Sequence, residues 1–468
     1  MKIIHISDLH IDSSKNKFAL GRFNNIVDDI ISKKFPEDTV IVMTGDLTNN
    51  GFGDHTNEKN NPAYFGVSKL EANGYQDRVL VIPGNHDYGI GVNVLDKVFH
   101  NSLITDFKKT FYNDENATYP RITNYINAVF VGLDSTIGVL KNLKIGDAFT
   151  SQGEIEKKQL DILSDELQKA KASGKKTIVY LHHHPFSSNS DFKLNNAKEF
   201  LEIVDNSTDV LLFGHIHYEK NDGDDRTKDT QIPRVYNAGS STNINDRDDW
   251  TSHYRVIDLD SSPENDSIVV IPIHMLTLDN SHGGTYIAHG NLTYTVNDEA
   301  RQQDNTASGG LTSTLEVPEL AQNIKYTLTF DASDTKITFA WDNSETMGSK
   351  KYIDVKGVWP GSISAIERDT ECGKLELNNQ HGGTYIAHGT LTYMYEGKSQ
   401  KIKNSASGGL KSTIKFPTDA TDIKYNITYD ASKTTSKFSW TNGWTGTRHI
   451  DVKGVWPGKV KATDNGIK

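Results

Sequence analysis

The chain has little cysteine, no long apolar run and no excess of positive charge. Its 468 residues include one cysteine, Cys372. A single thiol cannot close a disulfide within the chain, and it excludes a metal cage built from several cysteines. No segment approaches the roughly 18 consecutive apolar residues of a transmembrane helix. We therefore expect a protein without a transmembrane segment.

The N-terminal stretch, MKIIHISDLH, lacks the uninterrupted apolar core of a signal peptide. His5 and Asp8 interrupt the apolar residues too early for that role. We interpret this stretch as a first β-strand and expect a cytoplasmic location. Removal of a signal and export by a non-classical route both stay open as alternatives.

The acidic charge balance limits the class of partner. The formal net charge is -11, from 50 Lys and Arg against 61 Asp and Glu. This balance disfavours nucleic acid as a partner, although it is compatible with a local basic patch. The hydrophobic content of 35% and the charged content of 24% are typical of a globular protein. The length of the chain indicates two to four domains.

The stretch VLVIPGNHDY, residues 79–88, carries the first sign of chemistry. Its four leading apolar residues predict a buried strand, and a Pro-Gly pair ends that strand. Asn85, His86 and Asp87 then lie at the C-terminal end of the strand, where α/β proteins place functional residues. Taken alone, the same letters fit a turn rich in Asn and Gly equally well.

Four other predicted strands end in residues of the same kind. The five motifs are Asp8-x-His10, Gly45-Asp46, Gly84-Asn85-His86-Asp87, His183-x-Pro185 and Gly214-His215-x-His217. Carboxylate, amide oxygen and imidazole together suit Mn, Fe, Zn or Co. Residues i and i+2 of an extended chain face the same side, so each short pair can direct two ligands into one site. A lone His-x-His is usually a surface pair. Five motifs with metal-ligating residue types, each directly after a predicted strand, indicate a metal site.

These motifs resemble the complete signature of the calcineurin-like metallophosphoesterases. The wording ISDLHI, GDLT and GNHDYG most resembles the branch of bacterial cyclic-nucleotide phosphodiesterases and glycerophosphodiesterases. The resemblance covers residues 1–275. It implies an α/β catalytic domain built as a four-layer αββα sandwich, with a dinuclear site for two divalent or trivalent metal ions.

The resemblance also implies which residues hold the ions. The first ion would be held by Asp8, His10, Asp46 and His217, and the second by Asp46, Asn85, His183 and His215. Asp46 would bridge the ions, since its carboxylate offers two oxygens. His183 is chosen from three consecutive histidines because it stands two residues before Pro185, as the family motif requires. For His182 and His184 a packing role is favoured, and a contribution of one of them to the site stays open.

The implied reaction is hydrolysis of a phosphoester by a metal-bridging hydroxide. His86, which is not a ligand in this scheme, would contact the phosphoryl oxygen and assist the leaving group as donor or acid. Asp87 would orient a neighbouring histidine or cap the next segment. We expect a phosphodiesterase rather than a phosphomonoesterase. Cyclic nucleotides, glycerophosphodiesters, phospholipid head groups and phosphomonoesters all remain open as substrates.

Residues from about 278 onward contain an internal repeat. The letters HGGTYIAHG begin at His282 and again at His381, and IDVKGVWPG begins at Ile353 and again at Ile450. Short alternating segments predict two tandem all-β, sandwich-like repeats. We expect a catalytic domain over residues 1–275, a first repeat over 278–365 and a second over 377–468.

The repeats are expected to bind or target the enzyme. A glycan, a lipid surface and a partner protein are the candidate ligands, and two copies allow avidity. Tyr286, Trp359, Tyr385 and Trp456 either contact such a ligand or fill the cores of the sandwiches. An alternative function is a surface- or membrane-binding protein, toxin-like or lectin-like, in which the repeats carry the main activity.

Overall fold

The computed structural model describes most of the chain. The residues outside this description are 12–17, 50–61, 90–99, 139–150, 188, 190–191, 218–229, 243–250, 281–285, 332, 357–360, 370–371, 382–384, 396, 431, 445, 455–457 and 468. Trp359 and Trp456 lie among them, so their predicted roles fall outside the described residues.

The N-terminal domain alternates strands with helices. Its strands are β1 (Lys2–Ile6), β2 (Val40–Met43), β3 (Val79–Val81), β4 (Arg121–Asn124), β5 (Ala128–Gly132), β6 (Lys176–Tyr180), β7 (Val210–Phe213), β8 (Arg234–Asn237) and β9 (Thr251–Asp258). Its helices are α1 (Ala19–Lys33), α2 (Pro62–Leu70), α3 (His100–Tyr112), α4 (Lys157–Ala172) and α5 (Ala197–Val204). The domain also contains one π-helical turn, Glu71–Tyr75, and two described 3-10 turns, His86–Tyr88 and Pro263–Asn265.

Two sheets form the middle layers of this domain. In the first, β1, β2 and β3 run parallel, and β9 pairs antiparallel with β1. In the second, β5 to β8 run parallel and β4 pairs antiparallel with β5. Side chains such as Ile3 and Val42 of the first sheet and Ile178 and Leu212 of the second form one buried core between them. The carboxyl ends of β1, β2, β3, β6 and β7 carry the five sequence motifs.

Helices cover the outer face of each sheet. The apolar positions Phe23, Ile26 and Ile30 of α1 recur at helical spacing and are buried against the first sheet. Leu160 and Leu163 of α4 are buried in the core on the outer face of the second sheet. The predicted four-layer αββα sandwich is therefore confirmed.

The rest of the chain is β-rich and forms two similar units. The first contains β10 (Ser267–Asn280), β11 (Ala288–Val296), β12 (Glu299–Ala307), β13 (Leu311–Pro318), β14 (Gln322–Phe330), β15 (Ser333–Asn343), the single turn α6 (Ser344–Met347), β16 (Lys350–Lys356) and β17 (Ser364–Arg368). The second contains β18 (Cys372–His381), β19 (Ala387–Tyr395), β20 (Lys398–Ala406), β21 (Lys411–Pro417), β22 (Thr421–Tyr429), β23 (Ser432–Asn442), β24 (Thr447–Lys453) and β25 (Lys461–Ile467). We call these units the first and the second repeat.

Each repeat packs two sheets around its own core. The sheet orders are β12-β11-β14-β15 against β13-β10-β16-β17, and β20-β19-β22-β23 against β21-β18-β24-β25. The two cores share equivalent residues, including Tyr326 in one and Tyr425 in the other. Tyr286 and Tyr385 are 5% and 3% exposed, so they belong to the cores and are not available to a surface ligand.

Strand β10 physically joins the first repeat to the N-terminal domain. Residues 267–272 pair with β9, and residues 273–280 of the same strand pair with β13. This strand therefore runs across the predicted boundary at residues 275–278, and the boundary stays a prediction. None of the described helices has the length and apolar character needed to cross a membrane.

A glycine in each repeat makes room for a buried tyrosine hydroxyl. A Cβ at Gly389 would lie 1.9 Å from the Tyr425 hydroxyl oxygen and 2.3 Å from Asn404 Oδ1. These two atoms are held together, because the Tyr425 hydroxyl donates a hydrogen bond to Asn404 Oδ1 at 2.8 Å. Gly389→Ala should therefore lower the free energy of unfolding of the second repeat by about 1–3 kcal/mol, as other overpacked cores do. Guanidinium unfolding followed by tryptophan fluorescence measures this loss.

Gly21 provides the matched control for that substitution. It lies in α1, where an added Cβ meets nothing within 4 Å. Gly21→Ala should leave stability unchanged or raise it by about 0.5–1 kcal/mol, as expected inside a helix. Equal losses in the two variants would contradict the packing argument.

Candidate metal centre

The motif residues converge where the carboxyl ends of the two sheets meet. Asp8 and His10 follow β1, Asp46 follows β2, and Asn85 follows β3. The histidines that follow β6 and β7 approach them from the facing sheet. Residues from distant parts of the chain thus form one buried cluster.

The first ligand group consists of four side chains whose ligand atoms lie within 4.8 Å of one another: Asp8, His10, Asp46 and His217. His10 Nε2 lies 2.9 Å from His217 Nε2 and 3.6 Å from Asp46 Oδ2. His217 Nε2 lies 3.4 Å from Asp8 Oδ1. These are the four residues that the sequence predicts for the first metal ion.

The second ligand group is centred on His182. Its Nε2 atom lies 3.3 Å from Asp46 Oδ2, 3.1 Å from Asn85 Oδ1 and 3.1 Å from His215 Nδ1. The other ring nitrogen, Nδ1, donates to the carbonyl of Thr44 at 2.8 Å, which fixes the orientation of the ring. Asp46, Asn85 and His215 are predicted for this group, whereas for His182 packing is favoured and a contribution to the site is left open.

His183, the residue predicted in place of His182, lies outside both groups. Its Nδ1 atom lies 2.7 Å from the Ser135 hydroxyl, and its ring packs against Gly153. The reason is the alternation of side chains in a strand. Ile178 and Tyr180 of β6 face the other sheet, and His182 continues on that side, whereas Val179 and Leu181 face the helices.

His184 packs as the sequence predicts. Its ring lies 4.6 Å edge-on from the ring of Phe213, and its Nδ1 accepts the Phe186 N–H at 3.1 Å. Neither contact reaches the ligand groups. Of the three consecutive histidines, His182 has a ring nitrogen 3.3 Å from Asp46 Oδ2, and the ring of His183 lies 4.6 Å from that of His215.

Several ligand residues adopt backbone conformations that are costly outside glycine. Asp8, His10, Asp46 and His215 have φ values of 52°, 46°, 51° and 73°. Each such residue costs of order 1–3 kcal/mol and persists when its surroundings hold it in place. The backbone of Gly84 packs directly against the Asp46 carboxylate: a Cβ at position 84 would lie 2.1 Å from Asp46 Oδ1, so a larger residue there would displace this side chain.

Asp87 fastens two of the ligand loops to each other. Its carboxylate accepts the N–H groups of Leu47 at 3.3 Å, Thr48 at 3.0 Å and Gly84 at 2.9 Å. The Thr48 hydroxyl also donates to it at 3.2 Å. These bonds set the spacing between the loops that carry Asp46 and Asn85.

His86 borders the ligand groups without belonging to them. Its ring lies 4.6 Å edge-on from the ring of His10, and its N–H donates to Asp46 Oδ1 at 2.9 Å. Nδ1 lies 2.7 Å from the carbonyl of Asn49, so it is the nitrogen that donates there. Burial lowers the pKa of His86, which favours the neutral ring.

The charges of the cluster are strongly coupled. Burial opposes ionisation of Asp8 and Asp46, but the neighbouring histidines outweigh it and hold the pKa of both carboxyls well below the usual range. Burial also disfavours the charge on His182, yet Asp46 raises the pKa of His182 to about 9. Burial and the nearby His182 lower the pKa of His215 to about 3.

The donor set fits metal ions. Asp46 Oδ2 is buried and accepts no hydrogen bond from the described residues, although it lies between the two groups. Ring nitrogens approach one another closely in both groups, and only a shared proton or a cation makes such contacts favourable. His182 Nε2 lies 3.3 Å from Asp46 Oδ2 and so faces a carboxylate charge that metal ions would neutralise. The nitrogen and oxygen donors suit the borderline metals predicted from the sequence.

The neighbouring histidines offer a direct test of this assignment. His182→Ala should weaken Mn²⁺ binding by more than about 10-fold, since it removes a ring at the centre of the second group. His183→Ala should leave the affinity close to that of the wild type. Calorimetric titration of the metal-stripped variants measures both. A greater loss in His183→Ala than in His182→Ala would contradict the geometry described above.

Comparisons with known proteins agree with this site. Residues 1–219 match the family described as calcineurin-like phosphoesterase. A protein of Coxiella burnetii named "Probable cyclic nucleotide phosphodiesterase" is 26% identical over 226 residues, which cover 46% of this chain and 76% of that protein. A protein of the same name from Vesicomyosocius okutanii is 25% identical over 223 residues, covering 46% of this chain and 78% of the relative.

Among solved structures, a dimetal phosphatase from Danio rerio aligns with a TM-score of 0.35 and 13% identity. The alignment covers 55% of this chain and 91% of the phosphatase. The family match spans all five sequence motifs and ends two residues after His217, the last residue of the fifth. Residues 1–219 of this chain are therefore similar to the calcineurin-like phosphoesterase family.

Proposed function

We propose that the N-terminal domain is a metal-dependent phosphodiesterase with a dinuclear site. The observation that carries the proposal is the position of Asp46 Oδ2, which lies 3.6 Å from a ring nitrogen of one ligand group and 3.3 Å from a ring nitrogen of the other. A carboxylate at this position can serve two ions at once. The proposed ligands are Asp8, His10, Asp46, Asn85, His182, His215 and His217, and the proposed ions are Mn, Fe, Zn or Co.

When bound, two such ions lower the pKa of water and neutralise charge on the phosphoryl group. The chain supplies the remaining functions. Asp87 holds the loops of Asp46 and Asn85 at a set distance, and the Thr44 carbonyl keeps His182 in one tautomer. His86 donates through Nδ1 to Asn49, which leaves Nε2 as the nitrogen directed to the substrate. To contact the phosphoryl oxygen or assist the leaving group as an acid, Nε2 has to carry a proton as well, so this role belongs to the imidazolium form of the ring.

The cleft beside the ligand groups supports a nucleotide as the substrate. It has a volume of about 330 Å³ and is lined by Asp46, His86, His215 and Phe192, among others. The Phe192 ring is 40% exposed and lies 5.5 Å from the ring of His215. An exposed aromatic ring next to a phosphate site can stack on a base. The names of the two curated relatives point the same way, so cyclic nucleotides are the proposed substrates.

We further propose that the repeats bind or target the enzyme to a ligand. Leu311 and Leu410 occupy equivalent positions after the same Ser-Gly-Gly turn, and they are 59% and 60% exposed. A large apolar side chain exposed at the same place in both copies supports contact with a glycan, a lipid surface or another protein. The same observation favours the alternative function, in which surface or membrane binding by the repeats is the main activity.

Hydrolysis of bis-p-nitrophenyl phosphate and p-nitrophenyl phosphate tests the proposed enzyme. The metal-stripped protein reloaded with Mn²⁺, Fe²⁺ or Zn²⁺ should cleave the diester faster than the monoester. Asn85→Ala should lose most of this activity, since it removes a ligand from the second group. Phe192→Ala should lower kcat/KM for cyclic nucleotides more than for glycerophosphodiesters, which have no base to stack.

Two results would count against the proposal. Faster cleavage of the monoester would contradict a phosphodiesterase. An absence of cleavage of either ester with every metal would favour the alternative in which the repeats carry the function.

A further inference from the structure

The first repeat contacts the N-terminal domain through a buried ion pair. Arg22, on α1, donates from Nη2 to Glu316 Oε1 at 2.9 Å and from Nε to the same oxygen at 3.1 Å. Glu316 belongs to β13 of the first repeat, and both residues are 6% exposed. The two residues lie 294 positions apart in the chain. A buried charge of this kind needs its partner, because an unpaired one is strongly destabilising.

The same arginine reaches the segment that supports the first ligand group. Arg22 Nη1 donates to the carbonyl oxygen of Thr242 at 2.7 Å. Residues 240–242 then lie along the loop that carries Asp8, and each of them makes a hydrogen bond to it. Ser240 Oγ donates to the Asp8 carbonyl at 2.8 Å, and Thr242 Oγ1 donates to the Leu9 carbonyl at 3.0 Å.

The middle residue of this segment is bonded to the loop twice. The N–H of Ser241 donates to the carbonyl of Ser7 at 3.0 Å, and the N–H of Ser7 donates to Ser241 Oγ at 3.1 Å. The loop held in this way contains Asp8 and His10, both in the left-handed backbone region. Because such a conformation persists only when its surroundings hold it, the 240–242 segment is part of what shapes the ligand group.

The second repeat uses the equivalent position differently. Lys415 occupies the place of Glu316, since Glu316 pairs with Met275 and Lys415 pairs with Lys374 in matching registers. Its ammonium group donates to the carboxylate of Asp279, in the first repeat, at 3.2 and 3.3 Å. The same strand position thus connects each repeat to the unit before it, with opposite charge. Of these two residues, Glu316 is the one whose partner, Arg22, contacts the segment beside the first ligand group.

We propose that the first repeat is a structural part of the metal centre. Glu316 holds Arg22 in place, and Arg22 holds the 240–242 segment against the loop of Asp8 and His10. Glu316 and Arg22 are positioning residues, since they act on the ligands through this segment. The proposal rests on the proposed function, because it assumes that the first ligand group binds a metal ion.

Metal affinity of the full-length protein tests the proposal. The variants are Arg22→Met combined with Glu316→Met, Glu316→Gln alone, and Lys415→Gln as the matched control. Replacing both members of a buried ion pair by apolar residues usually preserves stability, so the double variant should unfold near the wild-type temperature. Its dissociation constant for Mn²⁺, from the electron paramagnetic resonance signal of free Mn²⁺, should rise about 10-fold or more.

The other variants separate positioning from a general loss of stability. Glu316→Gln should weaken Mn²⁺ binding in the same direction but by less, and Lys415→Gln should leave it unchanged. At saturating Mn²⁺, diester hydrolysis by the double variant should recover more of the wild-type kcat than it shows at limiting Mn²⁺.

Three outcomes would overturn the account. A folded double variant with the wild-type affinity for Mn²⁺ would contradict the positioning role. If the double variant does not fold, a wild-type Mn²⁺ affinity of Glu316→Gln would contradict it in the same way. A loss of Mn²⁺ affinity in Lys415→Gln as large as that in the double variant would indicate general destabilisation and not positioning by Arg22 and Glu316. A wild-type protein that binds no Mn²⁺ would instead overturn the proposed function on which the inference rests.

Discussion

The carboxylate of Asp46 imposes the strictest constraint on this structure. It is 1% exposed, its backbone lies in the left-handed region, and Oδ2 faces a histidine from each ligand group. A buried charge in this position needs counter-charges, and the histidines that follow β1 and β6 lie close enough to interact with it. The opposing sheets, the loops fastened by Asp87 and the glycine at position 84 all bring partners to this one group. The proposed chemistry follows from the same arrangement, because an oxygen shared by two groups can be shared by two ions.

The β-rich part of the chain is integrated with the N-terminal domain rather than merely attached to it. Strand β10 belongs to the first sheet of the domain and to the first repeat. Arg22 forms a second connection, since it contacts Glu316 of the repeat and Thr242 of the domain. The second repeat, by contrast, is connected through Asp279 of the first. Each repeat therefore contacts the unit that precedes it in the chain through an ion pair: Glu316 with Arg22 for the first repeat, and Lys415 with Asp279 for the second.

The sequence predicts the fold and most of the site because its motifs are local. A carboxylate or imidazole two residues from another, directly after an apolar strand, identifies Asp8 with His10 and His215 with His217. The choice between His182 and His183 is not local. Both faces of β6 are apolar, so the alternation of side chains does not reveal which face meets the other sheet. The family spacing before Pro185 favoured His183, whereas the packing of Tyr180 directs His182 to the site.

The contacts between units could not be predicted for a related reason. Arg22 lies at the edge of the apolar stripe of α1, four residues before Ile26, and its charge alone would favour solvent; β13 covers it. The pairing with Glu316 depends on how β10 carries the first repeat against α1, and no motif records that geometry. Likewise, the alternation of the repeats predicts strands but does not show that β10 continues from one unit into the next. The internal repeat itself was visible because the letters recur at nearly constant spacing.

Anomalous diffraction from crystals grown with Mn²⁺ would test the central claim most directly. The account predicts two anomalous peaks, both within coordination distance of the Asp46 carboxylate, one next to His10 and His217 and the other next to His182 and His215. A single peak, or a second peak coordinated by His183 with His182 turned away, would contradict it.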